Sequence, residues 1–205
     1  MYVPDLFGSA SPREVQEIVE TYSFATLITH RGDELELSHL PLALEGTLAG
    51  GILRGHMARA NPQLAQCAAG VAAIAVFQGP HAYVSPRWYE KPGVPTWNYI
   101  AVHCHGSIHL EDTTADLERA LELMLDKYES EDGRRAIDAL SADQRARALA
   151  AIQSFSMKIE RVEAKFKLSQ NKSQQDRDRV IAQLSRSDSN SDLVQWMLRP
   201  GAKPS

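Results

Sequence analysis

Short alternating apolar runs, broken by turn residues and only irregularly interleaved with helices, constrain this chain's fold more than any other feature. Phe24 to His30 reads as a strand, Arg31-Gly32-Asp33 as a turn, and Glu34 to Leu44 as the returning strand, with Leu35, Leu37 and His39 alternating. A second turn, Gly46-Thr47 through Gly50-Gly51, leads into Ile52 to Ala58, and Val71 to Phe77 is apolar enough to be buried on both faces. The loop from Gly79 to Pro95 is dense in Pro and Gly, holds Tyr83, Trp88 and Tyr89, and leaves room for one short strand at His81 to Ser85. Thr96 to Leu110 and Ser154 to Leu168 are the remaining β-like stretches, and Gly106 predicts a bulge or bend in the first. About six such strands without regular strand-helix alternation exclude a doubly wound sheet and predict a mainly antiparallel barrel with peripheral helices.

The helices announce themselves by their caps. Ser11-Pro12-Arg13-Glu14 opens an amphipathic helix, Thr113 to Asp116 opens one with Leu117, Ala120, Leu121, Met124, Leu125 and Tyr128 on its apolar stripe, and Ser141 to Gln144 opens a third. Asn61-Pro62 predicts a short helix from Pro62 to about Ala69, and a polar helix begins near Ser173. One domain is expected over 1–187, followed by a tail, 188–205, with a short apolar segment at Leu193 to Leu198. The N-terminus lacks a basic and then apolar stretch, and nowhere do about 18 apolar residues follow one another, so a cytoplasmic protein without membrane contact is expected. Cys67 and Cys104 form no CxxC pair and read as reduced, buried thiols.

Chemistry concentrates in Leu53 to Gln63. Arg54 and His56 project from one face of a strand, Arg59 follows at its end, and a helix start comes directly after, an arrangement suited to a phosphate. The competing reading is a solvated basic strand end.

That segment, LRGHMARANPQ, together with Ser38-His39-Leu40-Pro41, Phe77 to Pro86, Val94 to Tyr99 and Lys165 to Asn171, resembles the PaiB family of FMN-binding negative transcriptional regulators. The resemblance runs in the family's motif order from Met1 to Asn171. It implies an α+β protein built on a six-stranded antiparallel split β-barrel of the FMN-binding type, working as a homodimer with FMN at the subunit interface. The implied phosphate ligands are Arg54, His56, Arg59 and Asn61, with Ser38 and His39 on the neighbouring strand. Tyr83, Trp97 and Asn98 are implied beside the flavin ring, and Lys167, Ser169, Gln170 and Asn171 as a late motif that closes the site, contributed by the partner subunit. Against this, Trp88 and Trp97 also read as core or interface residues.

The main rival is a metal site. His103 and His105 share one face of a strand, with His81 or His109 as a third ligand, but no carboxylate accompanies them in a motif and Gly106 is expected to turn His109 away. No metal is therefore expected; a haem in place of flavin is a further alternative. A DNA contact, direct or indirect, follows from the family's name rather than from residues: the net charge is −4 and no reading motif is visible. Lys158 to Arg186 holds eight basic and four acidic residues, a mixed face with a local positive excess. An FMN-dependent oxidoreductase of the pyridoxamine phosphate oxidase or flavin reductase type is the alternative function, since flavin chemistry needs no visible acid-base motif.

Overall fold

In the computed structural model, which describes residues 1–67 and 70–199, a seven-stranded sheet carries the chain. Its strands are β1 (Phe24–Arg31), β2 (Glu34–Pro41), β3 (Ala43–Glu45), β4 (Ile52–Ala58), β5 (Val71–Val84), β6 (Thr96–Glu111) and β7 (Ile152–Lys167), in the order β2-β1-β5-β6-β7-β4-β3. β1 pairs antiparallel with β2 and β5, and β4 with β3 and β7. The helices are α1 (Pro12–Thr21), α2 (Thr114–Tyr128), α3 (Glu131–Asp138), α4 (Ala142–Ala150), α5 (Gln174–Leu184) and α6 (Ser191–Leu198). None of the helices described is long and apolar enough to cross a membrane.

The mainly antiparallel fold with flanking helices is as the sequence predicts, but the strands number seven rather than six. The run from Glu34 to Leu44 is two strands. Pro41 has no N–H to continue the ladder, and at the fully buried Leu42 the chain turns inward, donating its amide to Ser23 O at 2.9 Å. β3 then pairs with β4 instead of β1. The short strand expected at His81 to Ser85 is the end of a longer β5, which continues through Gly79-Pro80. A further helix, α3, lies between the two predicted around it, capped by Ser130.

The chain forms two compact units. One comprises Met1–Ile18, Gln78–His103 and the residues from Glu163 on. Its core holds Ile18, Val84, Ile100, Val102, Val180 and Met197, and α6 buries Leu193, Val194 and Trp196. Arg199 closes this unit, stacking on Trp196 at 3.5 Å and donating two hydrogen bonds to Glu17.

The other unit is Val19–Phe77 with Cys104–Val162, cored by Leu27, Leu42, Leu53, Phe77, Ile108, Phe155 and Met157. Burial pushes the Cys67 thiol up to about 11 and the Cys104 thiol up to about 12, so both are un-ionised. Gly106 leaves no bulge: the even residues of β6 stay buried from Asn98 to Ile108. It is required because a Cβ there would lie 1.9 Å from Lys158 O on β7. Gly106→Ala should therefore lower stability by roughly 2–4 kcal/mol, read as a shifted urea midpoint.

Candidate functional site

In the second unit, β4 sends Leu53, Gly55 and Met57 inward and Arg54 and His56 to the opposite face. Gly55 admits Leu42 and Phe155 beneath the strand, since a Cβ would meet their side chains at 2.8 and 2.9 Å. Arg54 donates from Nε to Glu45 Oε2 at 2.6 Å and from Nη1 to Glu111 Oε1, while Arg119 donates to the other oxygen of Glu45 at 2.8 Å. Burial opposes the Arg54 charge, but these carboxylates more than offset it and raise its pKa above the ordinary arginine value. The Arg54 hydrogen bond, followed by that of Arg119, holds Glu45 below the usual carboxylate range. Arg54 is thus the centre of a closed ion network, and its charge is spent on Glu45 and Glu111.

Arg59 differs. Its amide bonds Ala151 O at 2.9 Å and its guanidinium donates to the neutral Gln153 Oε1 at 2.5 Å, with no carboxylate partner among the described residues. Gln153 in turn donates to Glu111 O at 2.6 Å, so Arg54 and Arg59 meet around the same strand ends. A cavity of about 240 Å³ opens there, lined by Arg59, Gln153, Ser154, Thr113 and Thr114, with Glu111 and Asp112 at its wall. Thr113 is the N-cap of α2, accepting from Asp116 N at 3.1 Å, so a helix of 15 residues starts at this cavity. His56, opposite Ser154 in the β4–β7 register, keeps a buried Nδ1 without a hydrogen-bond partner.

The helix start expected at Pro62 is a single 3₁₀ turn, Pro62–Ala65; its predicted extension to Ala69 runs outside the described residues. Asn61 Oδ1 takes the Gln63 amide at 2.9 Å, and Asn61 Nδ2 donates to Ser38 Oγ at 2.8 Å. Those donors are occupied by the turn itself. Gln63, fully buried, fixes the turn by donating to Leu27 O, Thr29 Oγ1 and Glu36 O. His39 lies on the other face of β2 from Ser38, bonded through Nδ1 to Thr26 Oγ1 and stacked near Phe24. The structure therefore joins Asn61 with Ser38 but sets His39 apart from them.

In the first unit, Trp97 and Tyr83 pack edge to face with ring centroids 5.9 Å apart, and His81 stands 6.2 Å from Trp97. Both larger rings stay about half exposed, at 52% and 45%. Lys167 donates to Trp97 O at 2.9 Å and to Thr96 Oγ1. Burial, then the charges of Lys165 and Lys172, lower its pKa. Asn98, Ser169 and Gln170 are buried and bonded internally: Asn98 and Ser169 exchange hydrogen bonds at 2.9 and 3.2 Å. Gln170 folds back to accept from Leu168 N at 2.6 Å and donate to Phe166 O. Ser169 adopts a left-handed φ of 63°, a strained geometry that this network holds. Asn171 is exposed.

The carboxylate absent from the histidine motif in sequence is supplied at long range, where Glu163 offers an oxygen within 4.8 Å of a His103 nitrogen. That carboxylate also takes the N-terminal ammonium of Met1 at 2.6 Å.

A family described as "Putative FMN-binding domain" matches residues 1–161. Among curated proteins, the chain is 36% identical to the protease synthase and sporulation protein PAI 2 of Bacillus subtilis, over 90% of this chain and 89% of that protein. Among solved structures it resembles the FAD and heme binding protein from Mycobacterium smegmatis, with TM-score 0.58, 18% identity, and coverage of 78% of this chain and 72% of that one. It also resembles the flavocytochrome Anf3 from Azotobacter vinelandii, with TM-score 0.60, 13% identity, and coverage of 76% and 67%. These likenesses establish the split-barrel fold.

Burial lowers the His56 pKa below the 6.5 of a free imidazole. The unfolded chain therefore takes up this proton before the folded chain does. Stability from neutral His56 is complete above 6.5 and is lost as pH falls towards the folded value. The urea midpoint should decline with acidification just below that point, and His56→Gln should flatten the decline; an equal slope in the variant would count against it.

Proposed function

The chain belongs to the PaiB-type family of FMN-binding proteins, and on that footing we propose that it is a flavin-dependent regulator of gene expression whose FMN phosphate is held at the Arg59 cavity. FMN is the cofactor of this family's domain. The observation that carries the reading is the unspent charge of Arg59 beside the start of α2. Its guanidinium and the hydroxyl of Thr114, both lining the cavity, fit a phosphate monoester, which takes several donors at once. Arg54 acts on this site by position: it neutralises Glu111, which would otherwise repel an anion. Bound FMN supplies hydride and one-electron chemistry. In the other unit, Tyr83 and Trp97 offer the kind of open aromatic face on which a planar ring stacks. A flavin oxidoreductase is the second reading, and this face favours it, because half-exposed rings leave an approach for a planar electron donor. Bleaching of bound flavin by NADH would carry that reading.

The name of the PAI 2 relative, protease synthase and sporulation protein, supports a role in expression, and such a role favours a cytoplasmic location. With a net charge of −4, a broad electrostatic grip on DNA is disfavoured, and the regulatory effect runs through flavin occupancy or a protein partner. A two-fold homodimer is supported by the outer face of β1 and β2, where Phe24, Leu35 and Leu37 are 68%, 62% and 57% exposed beside Ile28. Leu37→Glu should turn a sedimenting dimer into a folded monomer; a wild-type monomer would end the dimer proposal.

Arg59→Ala should weaken FMN by about tenfold or more while leaving riboflavin, which lacks the phosphate, nearly unchanged. Equal losses for both ligands in fluorescence titrations would move the phosphate elsewhere.

A further inference from the structure

A second cavity, of about 620 Å³, lies between α2 and the α3–α4 hairpin, in the size range of small-molecule pockets. Leu121, Leu125, Ile137, Leu140 and Leu149 make its walls. The hairpin is pinned at its helix starts and to α2. Ser130 caps α3, a capping box formed by Ser141 and Gln144 starts α4, and Arg134 clamps the pair to α2 through Glu122 and Asp126. No residue of α3 or α4 is fully buried, so the apolar faces of the hairpin are spent on this cavity rather than on a packed core.

Four charged side chains stand at the rim, and their partners single one out. Arg119 is taken by Glu45 and Glu122 by Arg134. Glu118, in the second turn of α2, is itself a carboxylate and offers no pairing to an acid. Arg145 lies in the first turn of α4, where the dipole disfavours a cation, and has no carboxylate partner among the described residues. The rim therefore has one unsatisfied cation above an apolar space. We propose that this cavity binds a small amphipathic carboxylate, an aliphatic or aromatic acid whose body lies among the leucines and whose carboxylate pairs with Arg145.

The site adjoins the phosphate cavity. Leu149 lines both, and two residues on, Ala151 O holds the Arg59 amide. Filling the apolar cavity fixes Leu149 and so favours the Arg59 geometry. This coupling rests on the flavin reading; binding of the acid does not.

Calorimetric titration of the full chain, without flavin, with octanoate tests the proposal. Saturable binding is expected, weakened about tenfold or more by Arg145→Gln, which leaves octanol binding unchanged, and abolished for both ligands by Leu121→Trp. Circular dichroism confirms that the variants fold. No saturable binding, or equal octanoate affinity in Arg145→Gln, overturns the site. Octanoate at saturation should also tighten FMN. If FMN fails to bind with or without octanoate while octanoate still binds, the flavin reading falls and the acid site stands.

Discussion

The ion network on Arg54 is the interaction on which the second unit depends. Arg54 comes from β4, Glu45 from β3, Glu111 from the end of β6 and Arg119 from α2, so four elements meet at alternating charges. A half-buried arginine between two carboxylates gains little over an apolar filling, yet removing one partner leaves an uncompensated charge out of water. The network therefore fixes where these elements go rather than adding much net stability. It also holds α2 so that its first turn faces the strand ends at which Arg59 emerges.

From that arrangement follows a division between charges that build and charges that remain available. Glu45 and Glu111 consume Arg54, and Asn61 spends both ends of its amide on the turn and on Ser38. Arg59, whose guanidinium donates to an amide oxygen and to no carboxylate among the described residues, keeps its charge, as does Arg145 beyond Leu149. Both lie where a helix starts, but with opposite meaning. For Arg59 the α2 terminus adds to the attraction for an anion, whereas α4 leaves its own arginine in an unfavourable position that an anion relieves.

Local signals were legible in the sequence, and pairings distant along the chain were not. The caps at Ser11, Thr113 and Ser141 are read by the side chains three residues on, and all three form. α3 escaped notice because it is short, carries Gly133 inside and has few apolar residues. β3 was hidden because Glu34 to Leu44 alternates without a gap, and only the missing Pro41 N–H breaks the ladder. At the site, the basic run from Arg54 to Arg59 stood out, but of the two carboxylates that occupy Arg54 one comes from a strand hidden in the pattern and the other lies 57 residues away. Thr113 and Thr114 could be read as a helix start and nothing more, since no local pattern brings them to Arg59. Asn98, Ser169 and Gln170 read as ligand groups by type, and no local pattern announces the hydrogen bonds they make to one another and to the backbone.

The two cysteines give this molecule an internal clock. Both thiols are un-ionised and sealed in the same unit, Cys67 beside the turn that carries Asn61 and Cys104 inside the sheet on β6. An alkylating reagent meets no thiolate until the structure around one of them opens. The rate at which each sulfur is labelled thus records how often the turn loosens against how often the sheet parts, two local events that a global melting curve merges into one.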